Sequence, residues 1–460
     1  MKVVFIGGGA LRHLAFLRGA LARGVFNRGE IVLHDLNVPR AEAMGRMLMK
    51  TPEYAGVRCK VTWGIPLEKA LDGADAVSVV LMAGSRRSFM LGNMVSHEHG
   101  FVSSDQLSPN GAFLALKGGP ILMGFARKME RYCPDAWLLD FANPVAVHSA
   151  ALNNHTKIKT LGVCNGHMNH CWDLTRLMGK DEFWPDYDVH VAGVNHCSFI
   201  LRGTLHGQDL FKLMDKHLTA DWRPPKLSPW WSAVTKRNIR FGLRKMIDLY
   251  RKLGVLVFST ELDGVGHLFY EEMFERYSHK TTRAAIEKGL KANEKARDEA
   301  DRRFRSFLGK NLDEAFWQNH WKKDLTFERQ DHSIFVKVLT ALAGIRKEKF
   351  AASYPNNGAV AGFKDRTVLE YSLVLDKGKL TPAGRCALPD SVHGLLSALA
   401  THQTLLGDAI ATQDPKNLAQ ALFAYPVKQG TKAARGLFRD LLAINKDEIP
   451  RAFQKAGDYL

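Results

Sequence analysis

A chain of 460 residues exceeds what one hydrophobic core usually serves, so two interlocked substructures are expected. With 46% hydrophobic and 24% charged residues it has the composition of a folded globular protein, which excludes a disordered or low-complexity chain. The 64 basic residues outnumber the 47 acidic ones, for a formal net charge of +17, but they are spread along the whole chain without a zinc-finger, RNP or helix-turn-helix pattern, which argues against nucleic acid.

A solvated basic surface whose field attracts an anionic small substrate accounts for that balance. The first apolar run, Val3-Val4-Phe5-Ile6, is too short for a signal segment or a membrane span. Six cysteines, at 59, 133, 164, 171, 197 and 386, are too few and too scattered for a disulfide framework, so a cytoplasmic protein without membrane attachment is expected.

Lys2 to Ile6 predicts a strand, Gly7-Gly8-Gly9 a turn, and Ala10 to Leu21 a helix. Glycines there, with Ala10, let a pyrophosphate approach backbone N–H groups at the helix start. Arg12 stands where the third glycine of G-x-G-x-x-G belongs, so the fingerprint is incomplete. The next strand, Glu30 to His34, ends at Asp35, whose carboxylate is placed to accept from a ribose hydroxyl. A third strand spans Lys60 to Trp63, and the continuous apolar run Gly73 to Leu81 predicts a strand buried on both faces. It opens into Ala83-Gly84-Ser85-Arg86-Arg87, a ligand-facing loop with two arginines.

A polar loop is expected from His97 to Gly111, a helix from Phe113 to Cys133, and a strand over Trp137 to Phe141 that runs into Asn143-Pro144. A helix from Val145 to Asn154 and a strand from Ile158 to Val163 deliver Cys164, followed by His167 and His170. Beyond Asp181 the pattern alternates through Val189 to Leu201, as in one antiparallel or mixed strand. Helices over Leu210 to His217 and Ser228 to Lys252 precede a strand and Gly-rich turn at 254–270. The mixed-charge stretch Thr282 to Leu308 predicts an exposed helix. Ser353 to Gly358 carries turn chemistry between strands, Arg366 to Leu375 with Lys377-Gly378 a hairpin, and four helical segments follow Asp390.

In order, Ile6-Gly-Gly-Gly9, Gly73-Ala-Asp75, Cys133-Pro-Asp-Ala-Trp137 with Asn143-Pro144, Gly162-Val-Cys164-Asn165, Gly193-Val-Asn-His196 and Pro355-Asn-Asn-Gly358 resemble glycoside hydrolase family 4. That resemblance implies an α/β fold related to lactate and malate dehydrogenases. Its N-terminal Rossmann-like, doubly wound parallel sheet would occupy 1–187, and a mixed α+β substrate and oligomerisation domain ending in helices 188–460. It implies a homodimer or homotetramer with NAD and Mn²⁺, or another divalent metal, as cofactors. Glycoside cleavage would proceed by oxidation of the sugar C3 hydroxyl, C2 deprotonation, elimination, water addition and re-reduction. A 6-phospho, uronate or sulfonated glycoside suits the basic balance.

By motif, the resemblance gives Cys164 and His196 as metal ligands, Asn143 as a holder of a sugar hydroxyl, and Arg87, or Arg86 one residue earlier, as the loop arginine near substrate. Asn165 and Asn195 flank the two ligands as further substrate contacts, and Gly84 joins Gly7, Gly8, Gly9, Ala10 and Asp35 around the cofactor. Two departures stand out. Asn165 occupies a position that is an acid in some members, which leaves the general acid open. The base position lacks the Tyr of several members, which leaves Asp263, His267 and Tyr270 as candidates. The rival readings are an NAD-dependent sugar or hydroxy-acid dehydrogenase and a non-catalytic binding protein on the same fold.

Overall fold

The computed structural model describes residues 1–164, 166–184, 186–257, 282–310, 312–320, 329–426 and 430–459. Short runs of aliphatic and β-branched residues form six parallel strands: β1 (Lys2–Ile6), β2 (Arg28–His34), β3 (Arg58–Trp63), β4 (Ala76–Val79), β5 (Trp137–Asp140) and β6 (Lys159–Gly162). They lie in the order β3-β2-β1-β4-β5-β6. Both faces of β4 and β5 are buried, which is why their sequences are continuous rather than alternating. The order reverses between β1 and β4, so a crevice opens at the carboxyl ends of those strands.

Helices α1 (Arg12–Ala22), α2 (Val38–Leu48), α3 (Leu67–Leu71), α4 (Arg86–Glu98), α5 (Pro109–Tyr132), α6 (Val145–His155) and α7 (Gly166–Leu177) connect these strands. The expected loop at 97–111 is shorter, because α5 starts at Pro109. Ser108 caps it by accepting from the Gly111 N–H, and proline sets its first turn.

Past Asp181 the chain extends the same sheet. The strands β7 (Tyr187–Val194), β8 (Cys197–Leu205), β9 (Gln208–Asp209), β10 (Leu256–Val257), β11 (Glu348–Pro355), β12 (Val368–Asp376) and β13 (Lys379–Pro382) pair antiparallel. β11 joins β6, and the order continues β12, β7, β8 and β10. The stretch expected as one strand over Val189 to Leu201 is a hairpin instead. Val194 pairs with Cys197, so Asn195 and His196 form the two-residue connection, with His196 at φ 67°. Ser353 to Pro355, expected in a turn, complete β11, and the turn begins at Asn356.

The remaining helices are α8 (Leu210–His217), α9 (Ala233–Leu253), α10 (Arg283–Ser306), α11 (Glu314–His320), α12 (Ile334–Leu342), α13 (Asp390–Thr412), α14 (Pro415–Ala424) and α15 (Thr431–Asn445), then a 3-10 segment, Arg451–Tyr459; α10 and α15 pack on α4, α12 on α1 and α13 on α6. No described helix is long and apolar enough to cross a membrane. The halves share one core: Phe335 of α12 packs on Phe5, Phe16 and Phe141 of the parallel half, with ring centroids 5.5–5.7 Å apart.

His13 is fully buried at the start of α1, edge-on to Phe5, and burial holds its imidazole down to about 4. A histidine with a depressed folded pKa stabilises fully above its unfolded value of about 6.5, and that contribution is lost as pH falls toward the folded value. Urea unfolding between pH 6.5 and 4 should therefore show wild-type stability falling, with His13 contributing up to about 1.4 kcal/mol per pH unit. His13→Leu is expected to flatten that slope, and an unchanged slope would contradict the assignment.

Candidate active site

At the end of β1 the N–H groups of Gly7 and Gly8 both donate to the His34 carbonyl at 2.9 Å, and that of Gly9 donates to Asp35 Oδ2 at 2.9 Å. Gly7 has φ 77°, and a side chain there would meet the Val80 carbonyl oxygen at 2.0 Å, so only glycine fits where β1 and β4 part. The turn is thus tied back to β2, and Ala10 passes directly into the first turn of α1, whose orphan N–H groups suit an anion. Asp35 is fixed beside the turn, its other oxygen accepting from the Asn37 N–H at 2.8 Å.

The loop after β4 is held by a carboxylate from near the end of the chain. Glu448 accepts from the Ser85 N–H (3.1 Å), from Ser85 Oγ (2.5 Å) and from Ser88 Oγ (2.7 Å), while Lys117 Nζ of α5 lies 2.7 Å away. Burial opposes ionisation of Glu448, but Lys117 and the two serines outweigh it and hold the carboxyl at about 2. The Lys117 side chain is 3% exposed. Neither residue stands out by spacing; the signal was a lysine among the small and apolar residues of α5. Gly84 lies inside this clamp. Arg87 pairs with Glu287 of α10 at 2.7 Å, both half-exposed, and Arg86 is exposed beside it.

At the end of β5, Asn143 Nδ2 donates to Asp105 Oδ2 at 2.6 Å. Asp140, buried below, accepts from the Ala142 N–H at 2.8 Å and lies 3.2 Å from His148 Nδ1. Burial raises the Asp140 carboxyl above the usual range, against the opposing His148 contact.

At the end of β6 the Cys164 thiol and the His196 imidazole meet: Sγ and Nε2 are 3.4 Å apart, and the Gly166 N–H donates to Sγ at 3.3 Å. The β7–β8 connection that carries His196 rests on Glu370 of β12. This buried carboxyl accepts from Asn195 Nδ2 (2.6 Å) and Ser198 Oγ (3.0 Å), and burial raises its pKa. An acid within the apolar run Val368 to Leu375 was the signal for it. Asn195, expected to contact substrate, is 2% exposed with its amide turned onto Glu370, so its visible role is to support His196. His170 is buried one turn into α7. Asn165, the His167 side chain, Asp263, His267 and Tyr270 lie outside the described residues.

The sequence profile of Family 4 glycosyl hydrolase matches residues 2–179, and that of its C-terminal domain matches residues 191–427. The chain belongs to glycoside hydrolase family 4. Among curated relatives, a probable 6-phospho-beta-glucosidase of Bacillus subtilis is 23% identical over 99% of this chain and 98% of that protein. An alpha-galacturonidase of Thermoanaerobacter italicus is 25% identical over 100% of this chain and 97% of its own. The fold matches that of the Thermotoga maritima 6-phospho-beta glucosidase, solved with manganese, NAD+ and glucose-6-phosphate. The TM-score is 0.73 at 16% identity, over 98% of this chain and 99% of that one. Malate dehydrogenase of Plasmodium falciparum shares the architecture at TM-score 0.50 and 11% identity, over 89% of this chain and 100% of that one.

Among the described residues of this family 4 chain, no group of three or more His, Cys, Asp or Glu side chains gathers to hold a metal. Two donors do fit one. A cation bonded to thiolate and imidazole at usual lengths keeps them about 3.1–3.6 Å apart, a range that includes the observed separation. Two protein ligands leave positions for substrate oxygens and water, as a catalytic ion requires.

The Glu448 clamp makes its own prediction. A carboxyl depressed in the folded state stabilises fully above its unfolded value and loses that contribution as pH falls toward the folded one. Glu448→Gln should cost about 1–3 kcal/mol at pH 7, because it leaves the buried Lys117 ammonium poorly compensated. In unfolding titrations the deficit should shrink from about pH 4.3, the ordinary glutamate value, toward pH 2.

Proposed function

We propose that this family 4 enzyme cleaves an anionic glycoside, such as a 6-phospho-glycoside, a glycosiduronate or a sulfonated glycoside, using NAD and Mn²⁺ or another divalent cation. The observation that carries the reading is the Cys164–His196 pair, 3.4 Å apart on the same sheet edge as the glycine turn. Three strand spacings, from β1 through β4 and β5 to β6, separate the two by about 14 Å. When bound, NAD would supply a reversible hydride acceptor for the sugar C3 hydroxyl, and the cation a Lewis acid that renders the C2 proton acidic.

The chain's own residues divide the remaining work. Gly7, Gly8, Gly9 and Ala10 let a pyrophosphate approach, Asp35 accepts from a ribose hydroxyl, and the Gly84 loop borders the crevice. Cys164 and His196 would hold the cation, and Asn143 and Asn165 would orient sugar hydroxyls. Arg87 or Arg86 would face the anionic substituent. The base that takes the C2 proton is sought among Asp263, His267 and Tyr270. Asn165 cannot donate a proton as an acid, so the leaving group is protonated by water or by another residue such as His167. The net charge of +17 and the phosphorylated or uronic sugars named for the two curated relatives support an anionic substrate.

Hydrolysis of a 6-phospho-glycoside or galacturonide panel in D₂O should place solvent deuterium at C2 of the product and show a primary isotope effect with C2-deuterated substrate. Retention of the C2 proton with no isotope effect would eliminate this route, and steady NADH accumulation would point to a dehydrogenase. Cys164→Ser and His196→Ala should weaken Mn²⁺ binding, read by electron paramagnetic resonance, and abolish cation-dependent turnover while NAD still binds. Loss of the fold in both variants would instead make the pair structural.

A further inference from the structure

Helix α9 carries seven lysines and arginines against one carboxylate, Asp248. Like charges one turn apart, such as Arg240 and Arg244, repel and weaken a helix. The similarly long α10 interleaves signs and avoids that cost, with five carboxylates among its eight cations.

Three of those seven cations, Arg244, Lys245 and Arg251, line a cavity of about 600 Å³ between α9 and the chain at 220–224. Its volume falls within the range of about 300–1,000 Å³ typical of small-molecule sites. Among the described residues, Arg223, Arg244, Lys245 and Arg251 line it with Asp248, four cations to one carboxylate. Trp222 and Phe241 add two aromatic faces.

Several of these groups are already oriented. The Trp222 indole N–H donates to the Leu177 carbonyl at 2.8 Å. Arg251 Nη2 donates to the carbonyls of Leu218 (3.1 Å) and Thr219 (2.7 Å), which leaves other donors of its fork for a ligand. Lys245, 13% exposed, lies over the Phe241 ring at 5.7 Å and 3.6 Å from Asp248. Arginine forks suit the oxygens of a phosphate group, and cations already oriented, as Arg251 and Lys245 are, bind with less loss of side-chain freedom.

The cavity lies away from Cys164. Trp222 is anchored at the far end of α7, whose first residue follows Cys164 by two, and twelve helical residues span about 18 Å. We propose that this cavity is a second, non-catalytic binding site for a sugar phosphate, its phosphate held by the arginines and the apolar face of its ring against Trp222 or Phe241. The proposal does not depend on the catalytic reading.

Calorimetric titration of the full chain with glucose 6-phosphate tests it, with Cys164→Ser separating the cavity from the crevice. Cys164→Ser should keep one binding event of wild-type strength at the cavity. Arg244→Glu should lose it by tenfold or more, and Arg244→Gln, which keeps size without reversing charge, by several-fold. Glucose should not bind there, inorganic phosphate should compete, and glycoside turnover by Arg244→Glu at saturating substrate should match wild type. Wild-type binding by both Arg244 variants, or loss of all binding in Cys164→Ser, would overturn the site. So would a change of sedimenting mass in Arg244→Glu with binding intact, since the face would then be a subunit contact. Absence of glycosidase activity with the cavity still binding would refute the catalytic reading alone.

Discussion

The junction of β11 with β6 determines whether there is an active site at all. Their single paired position sets Ser353 opposite Gly162, and a side chain at Gly162 would meet the Val145 carbonyl oxygen at 2.8 Å and Ser353 Cβ at 2.9 Å. The missing side chain lets an antiparallel block dock against the last parallel strand. Ser149 Oγ, donating to the Ser353 carbonyl at 3.1 Å, adds a buried bond from α6. Once that join is made, β12 and β7 follow in register and the β7–β8 turn arrives beside the end of β6. Cys164 and His196, separated by 32 residues, meet as a consequence.

Around that join the protein buries ionisable groups, which costs several kcal/mol each unless hydrogen bonds and counter-charges compensate. Three of these buried sites lie under residues proposed to face the crevice. Glu370 supports the turn carrying His196, Asp140 sits beneath the Asn143 loop, and Lys117 with Glu448 clamps the Gly84 loop. Two of these three carboxyls, Glu370 and Asp140, have their pKa raised by burial, whereas Glu448 is held low by its donors. The crevice rim is thus fixed from below by polar groups, while the apolar core around Phe335 holds the two halves together.

The parallel half was legible in the sequence because its signals are local. A buried strand is a run of aliphatic residues, a crevice turn needs glycine, and a helix start shows its cap, so β1 to β6 and the loops at Gly7, Gly84, Asn143 and Cys164 could be placed by inspection. The antiparallel half was harder because its decisive contacts are distant. Val189 to Leu201 alternates smoothly, and nothing local says that Asn195 and His196 turn the chain; the pairing of β7 with both β8 and β12 imposes the break. Glu370 and Glu448 act from 175 and 363 residues away on Asn195 and Ser85, a separation that no spacing rule reaches. Asn195 shows the opposite limit, since its motif neighbour His196 is the proposed ligand but its own amide faces inward.

The basic rim of the crevice follows a different logic from its buried supports. Arg40 pairs with Asp301, partly buried, and Arg87 with Glu287, open to solvent, so α10 is tied to α2 and to α4. Exposed pairs of this kind contribute about 0–1 kcal/mol and weaken with salt. An arginine so lightly held can exchange Glu287 for a phosphate or carboxylate at little cost, and an anion that accepts bidentately from its guanidinium recovers more than the pair it replaces. The buried clamp at Glu448 could not be exchanged in this way without stranding Lys117. The segment from Ser85 to Ser88 is therefore rigid at its two serines and adaptable at Arg87, the residue proposed above to face an anionic substituent.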